Sequence, residues 1–519
     1  MEVFRVVTRR NRKGGRSARQ QQRQSSPLLD LPFRLLRNPM QPVTILAPEQ
    51  IETLHQASMQ ILEEIGLDFI DDEALSIWKD AGAQVAPGNH RVRIDRELLM
   101  EAIAKAPATF TWRARNAERN VRIGGNAIAF APHSGMPFTS NLEHGRRPST
   151  YQDFEDLLKL AQSINVLHFA GSTLVEPQDI PVSIRHLRRL LAAFTLTDKA
   201  ARDVAHGRII PADNLEMCRI AFGGKLPEDP VIGGVINVNS PLRYDSRMLG
   251  GLISYARAGQ VSIVTPFILA GAMSPITMAA AIAQQNAEAL AGVALTQLVR
   301  PGAPVIYGGF TTNVDMKSGS PAFGTPEGAR ALLIGAQLAR RYNLPYRGSG
   351  SLNTSKLPDA QAAYETNWTI WPAVMAHTNF IHHAVGWLES GLTASYEKFI
   401  IDAEGLAMFH HFLQEHSIGD EDLALDAIAE VGPGGHHFGT AHTQARFATE
   451  FYQPFLSDRH NYESWLERGQ EDVVQRAYKL WKGVLQEFEP PPLDPGIREE
   501  LTDYCVRREK ELEGEALYD

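Results

Sequence analysis

From residue 126 onward, short apolar runs alternate with longer stretches of helical periodicity, and this alternation constrains the fold more than any other feature of the chain. The runs are NAIAFAP (126–132), VLHFAGST (166–173), ARDVAHG (201–207), VIGGVINVNS (231–240), VSIVTPFILAG (261–271), PVIYGGF (304–310), PYRGSGS (345–351) and FIHHAVGWLESG (380–391). Between them stand helical candidates such as MAAAIAQQNAEALAGVALTQL (278–298) and EGARALLIGAQLARRY (327–342). About eight units of strand then helix predict an α/β fold, a closed (β/α)8 barrel of TIM type over 126–430, rather than an open sheet.

The flanks read differently. The first 25 residues hold eight Arg and Lys against the single Glu2, with almost nothing apolar beyond the first seven. A basic, disordered arm is therefore expected over 1–45, without the apolar centre of a secretory signal. Over 46–125 a helical preface is expected. In PEQIETLHQASMQILEEIG (48–66), Ile51, Leu54, Ala57, Ile61 and Leu62 fall at helical spacing, and Gly66 closes the helix. A strand or hairpin follows at FTWRARN and VRIGGNAIAF. After residue 430 a Gly/His loop leads into an extension predicted to pack outside the barrel: SWLERGQEDVVQRAYKLWKGVLQEF as one long amphipathic helix, the proline linker EPPPLDP, and a charged helix in IREELTDYCVRREKELEGE.

Composition narrows the function classes. The 519 residues are 44% apolar and 21% charged, with no run of about 18 apolar residues to span a bilayer. No membrane association is expected. Cys218 and Cys505 stand far apart and outside any C-x-x-C spacing, so a reducing cytoplasm fits better than a disulfide framework or thiolate zinc cage. The net charge is −9 with the basic excess confined to the arm, and no nucleic-acid partner is expected.

In a barrel of this kind the active site is built at the C-terminal ends of the strands. Here those ends are small or polar: Ser172, Thr173, His206, Asn237, Asn239, Ser240, Thr311 to Asn313, Ser349 to Asn353, Glu389 and Ser390. Glycines 308, 309, 348 and 350 crowd the same places, where backbone can approach a bulky ligand. A wide, open mouth is implied.

Four long motifs, in order, resemble the trimethylamine methyltransferase family: NVDMKSGSPAFGTPE (313–327), SLNTSKLPDAQAAYE (351–365), GPGGHHFGTAHT (432–443) and FYQPFLSDRHNYESW (451–465). The resemblance runs from about residue 45 to the C-terminus. It implies an α/β barrel that moves a methyl group from a methylated amine to a cobalt corrinoid carried by a separate small protein. Members that act on trimethylamine carry pyrrolysine, in a region matched loosely to 346–358, and no nonstandard letter occurs in this sequence. The chain therefore looks more like the relatives without pyrrolysine, such as glycine betaine methyltransferases.

Chemistry points the same way. A quaternary ammonium departs as a neutral amine, so methyl transfer to a Co(I) nucleophile requires alignment and exclusion of water but no proton donor. A cage of aromatic rings can hold a trimethylammonium head. Candidates are Tyr307, Phe310, Phe323, Tyr364, Trp368, Trp371 and Trp387, with Trp387 and Glu389 foremost because two residues apart on a strand face one side. Asn237, Asn239 and Thr311 are expected to meet a substrate carboxylate, and Asn353, Gln361 and Glu365 to line the mouth beside Asp359. The spacing of His436, His437 and His442 matches no zinc motif, so no metal is expected there. His436 and His437, in a glycine-rich loop, join Glu389 as candidates for a direct part in the chemistry, meeting substrate or the corrinoid edge. The C-terminal extension offers a dimer contact or a dock for the corrinoid protein, and a homo-oligomer is expected. Competing classes are a trimethylamine-type tertiary amine methyltransferase, a metal-assisted lyase and a non-catalytic barrel that binds quaternary amines.

Overall fold

In the computed structural model of the chain, residues 28–29, 31–171, 173–515 and 517 are described; the basic segment over 1–25 lies outside them. Six strands form the centre: β1 (Ala127–Phe130), β2 (Gly233–Val238), β3 (Val261–Ala270), β4 (Val305–Gly308), β5 (Tyr346–Ser349) and β6 (Phe380–His382). Each pairs in parallel with the next, from β2 through β6, and β6 then pairs in parallel with β1. Six of the eight apolar runs thus become strands of a half-barrel sheet. The other two run beside it without forming strands. His168 donates its amide to the Phe130 carbonyl at 3.0 Å, Phe169 bridges Ala200 in parallel, and Asp203 donates its amide to the Gly233 carbonyl at 3.1 Å.

Period two along the strands sends Ala129, Val261, Ile263, Ile306 and Phe380 to one interior core. The expected hairpin, Phe110–Trp112 paired antiparallel with Val121–Ile123, plugs the N-terminal end of that interior. Trp112 lies with its ring centroid 5.0 Å from Phe169 and 6.2 Å from Phe380. Gly233 is dictated by this plug, since a Cβ there would stand 2.3 Å from the indole. With the lower end filled, any cavity must open at the strands' C-terminal ends.

Helices cover the outside. Helices α1 (Pro48–Gln60) and α2 (Arg96–Ile103) belong to the preface and lie over α3 (Met278–Val299). Buried residues run round every side of α3, as expected of a helix wrapped by both sheet and helices. Polar bonds knit the layers: Ser58 donates to the Ala283 carbonyl at 2.9 Å, and Asn286 donates to the Ser58 hydroxyl at 2.9 Å. The predicted helix at 327–342 is α4 (Pro326–Arg341), followed by α5 (Ala360–Met375) and α6 (Tyr396–Phe412).

Two flanking elements differ from expectation. Residues 31–45, read as part of a disordered arm, lie against the body: Leu36–Arg37 pairs antiparallel with β1, and Val43 donates to the Met375 carbonyl at 2.9 Å. The long C-terminal helix is broken into Tyr462–Glu467 and Val473–Gln486. Gly469 and Gln470 adopt left-handed φ values of 100° and 58°, and Asp472 caps the second helix through the Gln475 amide. The charged helix forms as Pro495–Glu511 and packs on outer helices, where Tyr504 and Arg508 both donate to Asp213 at 2.8 Å.

Candidate active site

At the C-terminal ends of the strands a cavity of about 260 Å³ opens. Each wall comes from a different segment: Asn237 from β2, Thr265 from β3, Arg347 from β5, His382 from β6, Phe310 from the short strand Phe310–Val314 after β4, and Arg202 from the strandless run beside β2. Such a volume lies under the roughly 300–1,000 Å³ of drug-sized sites and suits a small substrate.

Its polar wiring is specific. Arg347 is 1% exposed and donates to the Gly309 carbonyl and to His382 Nδ1, both at 3.1 Å. Because the guanidinium only donates, His382 accepts on Nδ1 and carries its hydrogen on Nε2. The His382 and His383 rings stack with centroids 3.8 Å apart. Burial first, then neighbouring cations, hold both imidazoles well below their usual range and therefore neutral near pH 7. Burial also lowers His206 to about 4.

The opposite wall carries carboxylates that already have arginines. Glu176 accepts from Arg189 at 2.9 Å and from Arg185 at 3.1 Å. Asp203 accepts from its neighbour's amide, Val204, at 2.7 Å and stands 3.5 Å from Arg189. Burial pushes Asp203 up to about 6, with Arg189 opposing the rise. Among the described residues no group of three or more His, Cys, Asp or Glu is placed to hold a metal ion.

Of the residues singled out in the sequence, Thr173, His206, Asn237 and Phe310 line this cavity. Phe310, Phe323 and Trp387 do come together, but in a packed cluster with His383: Phe323 stacks on Phe310 at 5.4 Å, and Trp387 lies 4.6 Å from His383. The Arg347 guanidinium stands 5.0 Å from the centroid of the Phe310 ring. Trp387 is 4% exposed, with its indole donating to the Asn353 carbonyl at 3.1 Å. Tyr307 is fully buried and donates to Asn286 at 2.9 Å. Tyr364, Trp368 and Trp371 are exposed on α5.

The remaining polar candidates serve loops. Asn239 holds a turn through Asp245, and Thr311 donates to Gln285 at 2.6 Å. Asn353 donates to the Trp387 carbonyl at 2.6 Å, while Glu365 accepts from Gln361 at 2.9 Å and from the Thr354 amide at 2.7 Å. Asp359 caps α5. Glu389 accepts from Arg146 and Thr393 at 2.6 Å each. The strand expected to carry Trp387 and Glu389 on one face stops at Leu388, and Glu389 turns at φ 53°, so period two does not relate the pair. His436 and His437 are exposed and line no part of the mouth cavity. Arg202, Arg347, His382, His383 and Glu176 escaped the sequence reading. For the four other than Glu176 the signal was present: a charged or titratable residue inside an apolar run has to be accounted for.

Comparison with known proteins places the chain. A family profile described as "Trimethylamine methyltransferase (MTTB)" matches residues 12–513. The chain is 42% identical over 470 residues to a protein named glycine betaine methyltransferase from Desulfitobacterium hafniense (strain Y51), covering 90% of this chain and 98% of that one. It is 32% identical over 466 residues to trimethylamine methyltransferase MttB of Desulfitobacterium hafniense (strain DSM 10664 / DCB-2), covering 89% and 93%. The crystal structure of the Methanosarcina barkeri monomethylamine methyltransferase (MtmB) superposes with a TM-score of 0.50 at 9% identity, covering 89% of this chain and 91% of that one. That likeness concerns the fold alone, whereas the profile match and the first two relatives span nearly the whole sequence: the chain belongs to the trimethylamine methyltransferase family and is a methyltransferase.

Proposed function

We propose that this protein transfers a methyl group from a quaternary amine, glycine betaine or a related betaine, to the Co(I) corrinoid of a separate protein. The observation that carries the reading is the 42% identity to glycine betaine methyltransferase across 98% of that relative, against 32% to a trimethylamine methyltransferase. The mouth cavity supports it in kind. It is small, buried at its base and open at its rim, so a bound ammonium is desolvated while one methyl group faces outward.

In this reading the segments at 168–170 and 200–204 act as the two staves missing from the half-barrel, closing it to eight. The bonds from His168 to Phe130 and from Asp203 to Gly233 support that closure. The rim group Asn237 lies toward the ammonium head, and the corrinoid protein is a second substrate that meets the open mouth. No side chain has to deliver a proton, since trimethylammonium loses a methyl cation equivalent to leave a neutral tertiary amine, and the neutral His382 and His383 serve as shape and hydrogen-bond groups. The setting is cytoplasmic and the protein a homo-oligomer in the same proposal.

The test is spectroscopic. The protein is mixed with reduced corrinoid protein and a panel of betaines, choline and trimethylamine, and the Co(I) absorbance is followed. Loss of the Co(I) band with a betaine is expected. Turnover of trimethylamine in preference to every betaine would sink the proposal.

A further inference from the structure

The floor of the mouth cavity has more positive charge than its own carboxylates answer. Four arginines, Arg185, Arg189, Arg202 and Arg347, surround Glu176 and Asp203, and those two carboxylates are engaged by Arg185 and Arg189. Arg202 and Arg347 line the cavity at 2% and 1% exposure, and neither forms an ion pair with a described residue. Arg202 makes no hydrogen bond either among the described residues, and its buried Nε and Nη2 stand without partners; so does the Nε of Arg347. Two guanidiniums removed from water with donors unmatched are costly unless an anion completes them. Of the neighbouring side chains, Asp203 favours the Arg202 cation but makes no ion pair or hydrogen bond with it and lies 3.5 Å from Arg189, while His382 and His383 are imidazoles and Phe310 an apolar ring.

Resting on the reading of the chain as a quaternary-amine methyltransferase, we infer that Arg202 and Arg347 form a carboxylate subsite at the base of the cavity, which makes the substrate a zwitterion bearing a carboxylate close to its quaternary nitrogen. The planar fork of arginine matches a carboxylate in a way that an alcohol cannot reproduce. Burial lowers Arg202 to about 10 and Arg347 to about 9, so both remain cationic near neutrality. Arg347 is fixed in place by the Gly309 carbonyl and His382, and Arg202 is the partner with donors to spare. Anchoring the carboxylate at the base leaves the opposite end of the substrate, its trimethylammonium group, toward the rim where the methyl acceptor arrives. Choline, with a hydroxyl in place of the carboxylate, leaves the pair unanswered.

Three ligands separate the contributions: glycine betaine, choline, and 3,3-dimethylbutanoate, the carbon isostere that keeps the carboxylate and loses the cation. Their binding to the full-length protein and to Arg202→Gln and Arg202→Lys is measured by calorimetry, with thermal unfolding run beside it to check folding. Wild type is expected to favour glycine betaine over choline by at least ~10-fold and to bind 3,3-dimethylbutanoate in competition with betaine. Arg202→Gln should weaken both carboxylates by ~10–100-fold with its unfolding midpoint kept, and Arg202→Lys should recover part of that loss. Unchanged betaine affinity in Arg202→Gln, or an equal loss for choline, overturns the subsite. Carboxylates that bind through Arg202 while Co(I) stays unmethylated would leave the subsite standing and remove the methyl-transfer reading. Methyl transfer from choline as fast as from betaine would do the reverse.

Discussion

Trp387 illustrates how a single residue changes meaning between sequence and structure. As a strand-end aromatic it is a natural wall for an ammonium ion, yet its ring is 4% exposed, lies 5.5 Å from Phe323 and hydrogen-bonds the Asn353 carbonyl. Its work is to back His383 and Phe310. Trp387→Leu is therefore expected to cost about 2–3 kcal/mol of stability through lost packing and a lost hydrogen bond, the Asn353 carbonyl keeping the Ser390 amide as its donor. Betaine affinity should move by less than about threefold, since any effect passes through His383. Calorimetry paired with urea unfolding checks this, and a tenfold affinity loss at unchanged stability would instead put the ring on the ligand. Glu389 is a parallel case. Burial works to raise its pKa, but hydrogen bonds from Arg146 and Thr393 outweigh it and keep the group below its usual range. That is the signature of an anchored loop carboxylate rather than of a free counter-charge.

At the scale of elements, α6 is tied to the sheet by charge as well as by packing. Lys398 and Asp402 form an ion pair one turn apart, both nearly inaccessible. Lys398 also donates to Thr366 of α5 at 2.9 Å, and Asp402 accepts the Gly386 amide at 2.8 Å. One carboxylate thereby links a helix to the segment after β6. Removing it strands a buried ammonium and an amide at once, so Asp402→Ala should destabilise the protein by about 3–5 kcal/mol. A shift of the urea midpoint with an unchanged slope is the expected reading. A near-neutral result would mean that Lys398 reaches water when its partner is gone. α3 shows the complementary logic: where a helix is enclosed on every side, its polar residues must find partners inside. Glu288 does so, accepting from Ser240, from the Leu242 amide at 2.8 Å and from Gln284 at 2.9 Å.

For the whole molecule, buried titratable groups set the response to acid. Burial holds His133 and His410 down to about 4 and His168 down to about 3, against an ordinary value near 6.5. A depressed folded pKa means that the unfolded chain binds more protons between these values, so the stability of the neutral imidazoles is full above pH 6.5 and is lost as pH falls toward 4. Asp203, raised to about 6, acts in the opposite sense, its contribution present at low pH and lost as pH rises through 6. With His206, His382 and His383 depressed in the same sense, the histidines outweigh that acid. Unfolding free energy should therefore fall by several kcal/mol from pH 7 to pH 4.5, at roughly 1.4 kcal/mol per unit of pKa difference per group at most. Urea titrations across that range check it, and a flat profile would mean that the histidines reach water in the folded state.

The alternation of apolar runs and helices marked an α/β fold with a parallel central sheet from the sequence alone, because burial on a sheet and burial on a helix impose different periods that local composition records; the closed eight-stranded barrel expected with it is present as a half-barrel sheet of six strands. All eight runs lie along the central layer, six of them as paired strands, and the preface hairpin and the helices at 278–298 and 327–342 form where their patterns predict. Family membership was equally legible, carried by long motifs whose order survives divergence. The site was not. Which side chains share a cavity depends on distances between residues such as Arg202, Arg347 and His382, which lie far apart in the chain. Whether an aromatic faces ligand or core depends on what packs against it. Period two marked Trp387 and Glu389 as neighbours on one face, but the left-handed turn at Glu389 ends the strand between them. Only the folded chain brings Arg202 and Arg347 to one cavity, because nothing in the local sequence of either encodes the other: segments far apart in the chain pack around one interior and place both guanidiniums in its wall.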